Sequence, residues 1–376
     1  MNRLAATALW ILLLAAAPGW TQIRNPTINT ESDEGKLLQQ AGEENDPAKK
    51  IALLEEFLSK FASHEAAGYV HLQLLTEYLK ANNFEKAFEH GQKTLEKAPD
   101  DLEIAHLVVK AAEGKGDAKL LVETAEKAHA LAQKAKATPK PSDADEAETW
   151  KRNADFADQV ELYNQYALFG VAQKAASPQD KVLLLDTLRK NHPGGQFDKA
   201  LDAMYVVAYQ QLGQNDKMGQ AAEAALANDP DNEAYLYLVG ENYIDPSKGK
   251  LAQAQANAQK ILDVLPNKPK PANVADEEWA KHKNTYTGLA RSLLGRSLAS
   301  QEKFAPARKE LLVAAAALKG NNEALGPVYF FLGLCSAKLN LVNEALNYFG
   351  QGSKIPGPYQ AIAADNLKKI RAALKR

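Results

Sequence analysis

Residues 326–358 read GPVYFFLGLCSAKLNLVNEALNYFGQGSKIPGP, and the spacing within this stretch decides the fold. Leu332-Gly333 is followed twelve residues after the glycine by Ala345 and four further on by Phe349, with Pro356 and Pro358 beyond. Small side chains at Gly333 and Ala345 let two helices approach closely, and the ring of Phe349 fills the space beside them. The prolines stop the second helix, because a proline in a helix interior removes a backbone donor and clashes with the preceding turn. The stretch predicts a helix, a turn and a second helix folded back on the first.

The same frame recurs outward from this point. Leu294-Gly295 is followed at matching distances by Ala307, Leu311 and Ala314. Tyr78, Phe84, Ala87 and Pro99 fall in it, as do Tyr209, Gly213, Ala222, Ala225 and Pro230. Val239-Gly240, Tyr243, Ala254, Ala258 and Pro266 fit with two residues inserted between the helices. Elsewhere Ile51, Leu54, Leu58 and Phe61 keep the three- and four-residue spacing of one helix face. Turn signals at Asn82-Asn83, Gly114-Lys115-Gly116, Gly213-Gln214-Asn215 and Asp245-Pro246 cut the chain into helices of ordinary length. No run of alternating β-branched residues interrupts this pattern, so the chain reads as all-α.

A longer period lies over the short one. Displacing the chain by 131 residues brings Pro47 onto Pro178, Lys50 onto Lys181 and Pro99-Asp100 onto Pro230-Asp231. At 130, Pro139-Lys140-Pro141 meets Pro269-Lys270-Pro271, and at 129 Trp150 meets Trp279. The matches indicate duplication of a three-repeat unit. Loops are expected at 134–144 and 266–275, each rich in Pro and Lys, with longer helices after them.

The short period resembles the tetratricopeptide repeat, a helix-turn-helix unit of about 34 residues. The resemblance implies a right-handed α-solenoid of about eight helix pairs plus a C-terminal capping helix, as a single array over 32–376. It also implies a groove lined by the first helix of each pair, holding a partner protein or peptide. By register the groove residues are Tyr69, Thr76, Lys80, His106 and Lys110, then Tyr163, Tyr166, Gln173 and Lys174. Gln210, Tyr237, Glu241, Arg296, Phe330 and Lys338 continue the series. Tyrosine and arginine are the types in which binding energy concentrates. The Lys, Asn and Arg set with which some family members grip a C-terminal carboxylate is not in register here.

The 376 residues are 45% hydrophobic and 24% charged, which argues against wholesale disorder. Forty-five Lys and Arg against 47 Asp and Glu give a net charge of −2, no electrostatic footprint for nucleic acid. Residues 1–21 have the parts of a secretory signal peptide: Arg3, an apolar run from Leu4 to Ala17, then the helix-breaking Pro18-Gly19. An uncleaved anchor is the competing reading, but the run is short for a bilayer. An exported protein, periplasmic or secreted, is expected, with a flexible leader over 22–31 and no membrane span in the mature chain.

Chemical motifs are scarce. The sequence has no GxSxG, no phosphate-binding glycine loop and no HExxH, and its one Glu-Ser pair, Glu31-Ser32, falls in the leader. The seven histidines include no pair at the four-residue spacing of a helical zinc site, so they read as packing or solvated residues and no metal or cofactor is expected. Cys335 reads as a small packing residue. The cations Lys368, Lys369, Arg371, Lys375 and Arg376 read as the polar outer face of a capping helix. The function expected is a non-enzymatic protein-binding scaffold, the alternative being a cell-envelope carbohydrate-binding or peptidoglycan-processing protein.

Overall fold

The structure, a computed structural model, describes residues 23, 24, 26 and 28–374; the stretch read as a signal peptide lies outside them. The described residues form seventeen α-helices and no strand, which is eight helix pairs and a final helix. The helices gather into two compact units that divide between Gly195 and Gln196, where the sequence pattern had suggested one array. The break falls just after His192-Pro193-Gly194-Gly195, where proline and glycine end helical structure.

The first unit contains α1 (Asp33–Glu43), α2 (Pro47–Phe61), α3 (Ala67–Lys80), α4 (Phe84–Lys97), α5 (Leu102–Lys115), α6 (Ala118–Ala137), α7 (Ala144–Lys174) and α8 (Pro178–Asn191). All but α3 start on a side chain that accepts backbone N–H bonds: Ser32, Asp46, Asn83, Asp101, Asp117, Asp143 and Ser177. Each such cap stabilises its helix by about 1 kcal/mol. Pro47 and Pro178 occupy the first turn, where the missing N–H costs nothing. Leu37 and Leu38 meet Leu54, Phe57, Val70 and Leu74 in one buried cluster shared by α1, α2 and α3. Short turns force consecutive helices to run antiparallel, and α3, α5 and α7, the first helices of their pairs, also touch one another in series.

Two segments differ from the sequence expectation. Helix α6 continues to Ala137, so the loop expected from Lys134 begins at Thr138. Lys134 and Lys136 sit in the last turn, where cations suit the helix end. They also reach Asp100 at 3.1 Å and Asp158 at 2.7 Å, which holds the extra turn. In the stretch read as a flexible leader, Ile23 is buried beside Gly68, and Arg24 reaches Asp101 at 2.7 Å and Glu103 at 2.6 Å.

The second unit contains α9 (Asp198–Gln211), α10 (Asn215–Leu226), α11 (Glu233–Tyr243), α12 (Leu251–Val264), α13 (Asp276–Ser300), α14 (Phe304–Ala317), α15 (Asn322–Lys338), α16 (Val342–Gly352) and α17 (Gln360–Ala373). Its pairs lock as the spacing predicts. A Cβ on Gly333 would lie 2.7 Å from the Phe349 ring, and one on Gly295 2.5 Å from Leu311. Ala307, Leu311, Val328 and Leu332 belong to one core joining α14 to α15. The turn inside a pair passes through a left-handed residue, Gly213 at φ 66°, Glu302 at 59° and Asn340 at 60°, as Asn82 does at 54° in the first unit. Helix α15 opens at Asn322 and carries Pro327 inside it. The helices after the two Pro-Lys-Pro segments are the long ones, 31 residues in α7 and 25 in α13. Among the described residues no helix is long and apolar enough to cross a membrane.

Candidate functional site

The first helices of the first unit carry the densest group of expected binding residues. Tyr163 of α7 donates its hydroxyl to a carboxylate oxygen of Glu113, at the end of α5. Burial, with the Glu113 carboxylate beside it, pushes the Tyr163 phenol well above its usual range, so it stays a donor. His106 meets the Tyr163 ring edge-on at 4.8 Å and the Phe156 ring at 5.9 Å. Burial, and secondarily Lys110, lowers the His106 imidazole to about 4, and its Nδ1 has no hydrogen-bond partner. Lys110 stands 5.3 Å from the Tyr163 ring centroid, a cation–π contact between α5 and α7.

Of these side chains Lys110, Glu113 and Tyr163 border a cleft of about 880 Å³ at the tips of successive helix pairs. Leu79 and Phe84 contribute apolar lining, and Lys110, Glu113, Tyr163, Lys174, Ser177 and Asp180 the polar lining. Gly114 is required here, since a Cβ would lie 2.2 Å from the Phe84 ring. Neither Lys110 nor Lys174 has a carboxylate partner among the described residues. The cleft therefore pairs an apolar wall with two lysines and two carboxylates, Glu113 and Asp180.

The remaining expected residues are placed differently. Tyr69 packs against the α1–α3 core, the Thr76 hydroxyl donates to the Leu72 carbonyl, and Lys80 pairs with Glu77 at 3.0 Å. Tyr166 is 54% exposed on α7, and Gln173 is exposed near its end. In the second unit Gln210 is exposed, whereas Tyr237 packs into a core and burial lifts its phenol well above the usual range. Arg296, 6% exposed, spends its charge internally on Glu241 at 2.5 Å and faces the Phe331 ring at 5.9 Å. Lys338 stands 5.8 Å from the Phe304 ring, and the Phe330 ring lies tilted against Tyr359 at 5.2 Å. Glu113 and Asp180 also line the cleft, although the sequence pattern had not singled them out.

No protein-family model matches the sequence, and no curated protein is similar to it. Among solved structures, the chain is similar to one in the APC/C hetero-tetramer Cut9-Hcn1, at 13% identity and TM-score 0.39, covering 91% of this chain and 56% of that one. It is similar to the TPR domain of P58(IPK), at 13% identity and TM-score 0.32, covering 92% and 99%. It is also similar to yeast Tom70, at 12% identity and TM-score 0.26, covering 92% and 97%. This chain thus spans little more than half of the first of these chains.

Proposed function

We propose that this chain is an exported scaffold that holds a segment of a partner protein in the cleft bordered by Lys110, Tyr163 and Lys174. The observation that supports this reading is a pair of lysines without carboxylate partners beside an apolar wall and a tyrosine fixed by Glu113. Such a surface suits an extended segment carrying an acidic group: the lysines meet the carboxylate, the wall takes an apolar side chain, and the Tyr163–Glu113 bond keeps the polar edge rigid. Rigidity matters because ordering the site beforehand lowers the entropy cost of binding. Export rests on the sequence of residues 1–21 alone.

The test is photo-crosslinking in the intact cell from positions 166 and 174, with position 123, exposed on α6, as the control. Discrete adducts from 166 and 174, absent at 123 and lost on Lys110→Glu with Lys174→Glu, are expected. Saturable glycan binding that disappears on Tyr163→Ala and Tyr166→Ala, with no protein captured, overturns the reading in favour of a carbohydrate-binding role.

A further inference from the structure

Away from the cleft, α6, α7 and α8 bring together two histidines and a glutamate that lie far apart in the chain. The Nδ1 of His129 is 2.9 Å from the carboxylate oxygens of Glu161, and the Nδ1 of His192 is 3.3 Å from one of them. The ligand atoms of the three residues all lie within 4.8 Å of one another. The two imidazole rings meet edge-on at 5.3 Å, so each limits the other's rotation. We propose that His129, Glu161 and His192 form a site for one divalent transition-metal ion, zinc by its chemistry, that fastens α6, α7 and α8 together.

Three observations lead there. The Glu161 side chain is only 8% exposed, yet no lysine or arginine pairs with it among the described residues. Its partners are two imidazoles and the amide of Gln133, which donates to it at 3.0 Å. A buried carboxylate needs a compensating charge, which a divalent ion supplies. Next, the His192 side chain is only 7% exposed and it is the ring's Nδ1, not its unpartnered Nε2, that stands beside the carboxylate, so the nitrogen offered to an ion is the one next to Glu161. Third, the donor set is selective. Two imidazole nitrogens and one carboxylate suit zinc, whereas calcium and magnesium call for oxygen donors throughout.

The surroundings fit an ion as well. The Gln133 amide is placed to orient the carboxylate, as outer partners of metal ligands commonly do. His129, 21% exposed, marks the way in from solvent. Ligands around a tetrahedral zinc at about 2.0–2.2 Å stand about 3.3–3.5 Å apart, so on binding the His129–Glu161 pair widens from 2.9 Å while the His192–Glu161 separation of 3.3 Å already fits. Three protein ligands leave a fourth position for water. The linear sequence hides the set, because His129 and Glu161 are 32 residues apart and belong to different helices.

The test uses the full chain purified without a histidine tag, stripped with a chelator, and titrated with Zn²⁺ and, as a spectroscopic probe, Co²⁺. One equivalent of Zn²⁺ is expected to bind and raise the thermal midpoint, and Co²⁺ is expected to give the intense visible bands of a low-coordinate nitrogen–oxygen site. His129→Ala and His192→Ala lose that equivalent, Gln133→Leu weakens it about 10–100-fold, and His71→Ala keeps it. Absence of stoichiometric Zn²⁺ uptake, survival of uptake in the two alanine variants, or its loss in His71→Ala overturns the proposal. Should a variant fail to fold by circular dichroism, the Co²⁺ spectrum of the unchanged chain decides: no intense bands, no site.

Discussion

The guanidinium of Arg296 lies 2.5 Å from the carboxylate of Glu241, joining α13 to α11 across 55 residues of sequence. Burial works against the Arg296 charge, and Glu241 outweighs it, so the arginine titrates above its usual value. Removing one partner strands the other. Glu241→Gln, which leaves the buried guanidinium without its counter-charge, is expected to cost about 3 kcal/mol in urea unfolding, whereas Arg296→Met with Glu241→Leu stays close to the parent. Equal losses from the single and the double change contradict this account.

Glycines on the helices divide by what faces them. Gly333→Ala places a methyl 2.7 Å from the Phe349 ring and is expected to lose about 1–3 kcal/mol. Gly350→Ala, on α16 with nothing within 4 Å, is expected to gain about 0.4–1 kcal/mol by restricting the unfolded chain. Glu302 holds a left-handed φ of 59°, so Glu302→Gly should relieve strain and gain about 1 kcal/mol. Thermal midpoints of the three variants check the signs.

Much of the helical pairing was legible because it depends on local spacing. Gly295, Gly333, Ala307 and Ala345 sit where a second helix must come close, and that requirement leaves a fixed interval in the chain. Caps such as Asp117 and Asn232 and the prolines at 47 and 178 are equally local. The partners of charged groups were not legible. Whether Arg296 meets Glu241, or Tyr163 meets Glu113, depends on the rotation of each helix about its own axis and on its offset from its neighbours. Neither quantity is written in residue spacing. Glu302 escaped notice for a different reason: its turn conformation is one that glycine or asparagine normally announces.

Acid should loosen the first unit through its histidines. Burial lowers His106 and His71 to about 4 from 6.5, His71 also feeling His90 and Lys93 against Glu55 and Glu89, and His106 feeling Lys110. Both rings are neutral above pH 6.5 in either state. Between 6.5 and about 4 the unfolded chain takes up protons that the folded chain refuses, so stability falls as pH falls. The slope reaches up to about 1.4 kcal/mol per pH unit for each ring and levels off for these groups below about 4. His106→Phe, which keeps an aromatic ring but removes the titration, is expected to flatten the profile of urea midpoints over this range; an unchanged slope contradicts the assignment.

Cys335 is wholly buried in the core joining α14 to α15, and burial pushes its thiol up to about 11. An aromatic disulfide reagent should label it slowly in the folded chain and promptly in urea. Rapid labelling without denaturant would mean that α15 opens far more readily than its packing implies.

Each helix of a unit is held chiefly by those just before and after it, and to a lesser extent by the next but one. Contacts so close along the chain need little loop entropy to form, which favours fast assembly. They also confine damage, since a loosened hairpin withdraws support only from its neighbours. An end hairpin of such a stack can therefore come undone and re-form while the rest of its unit stays folded.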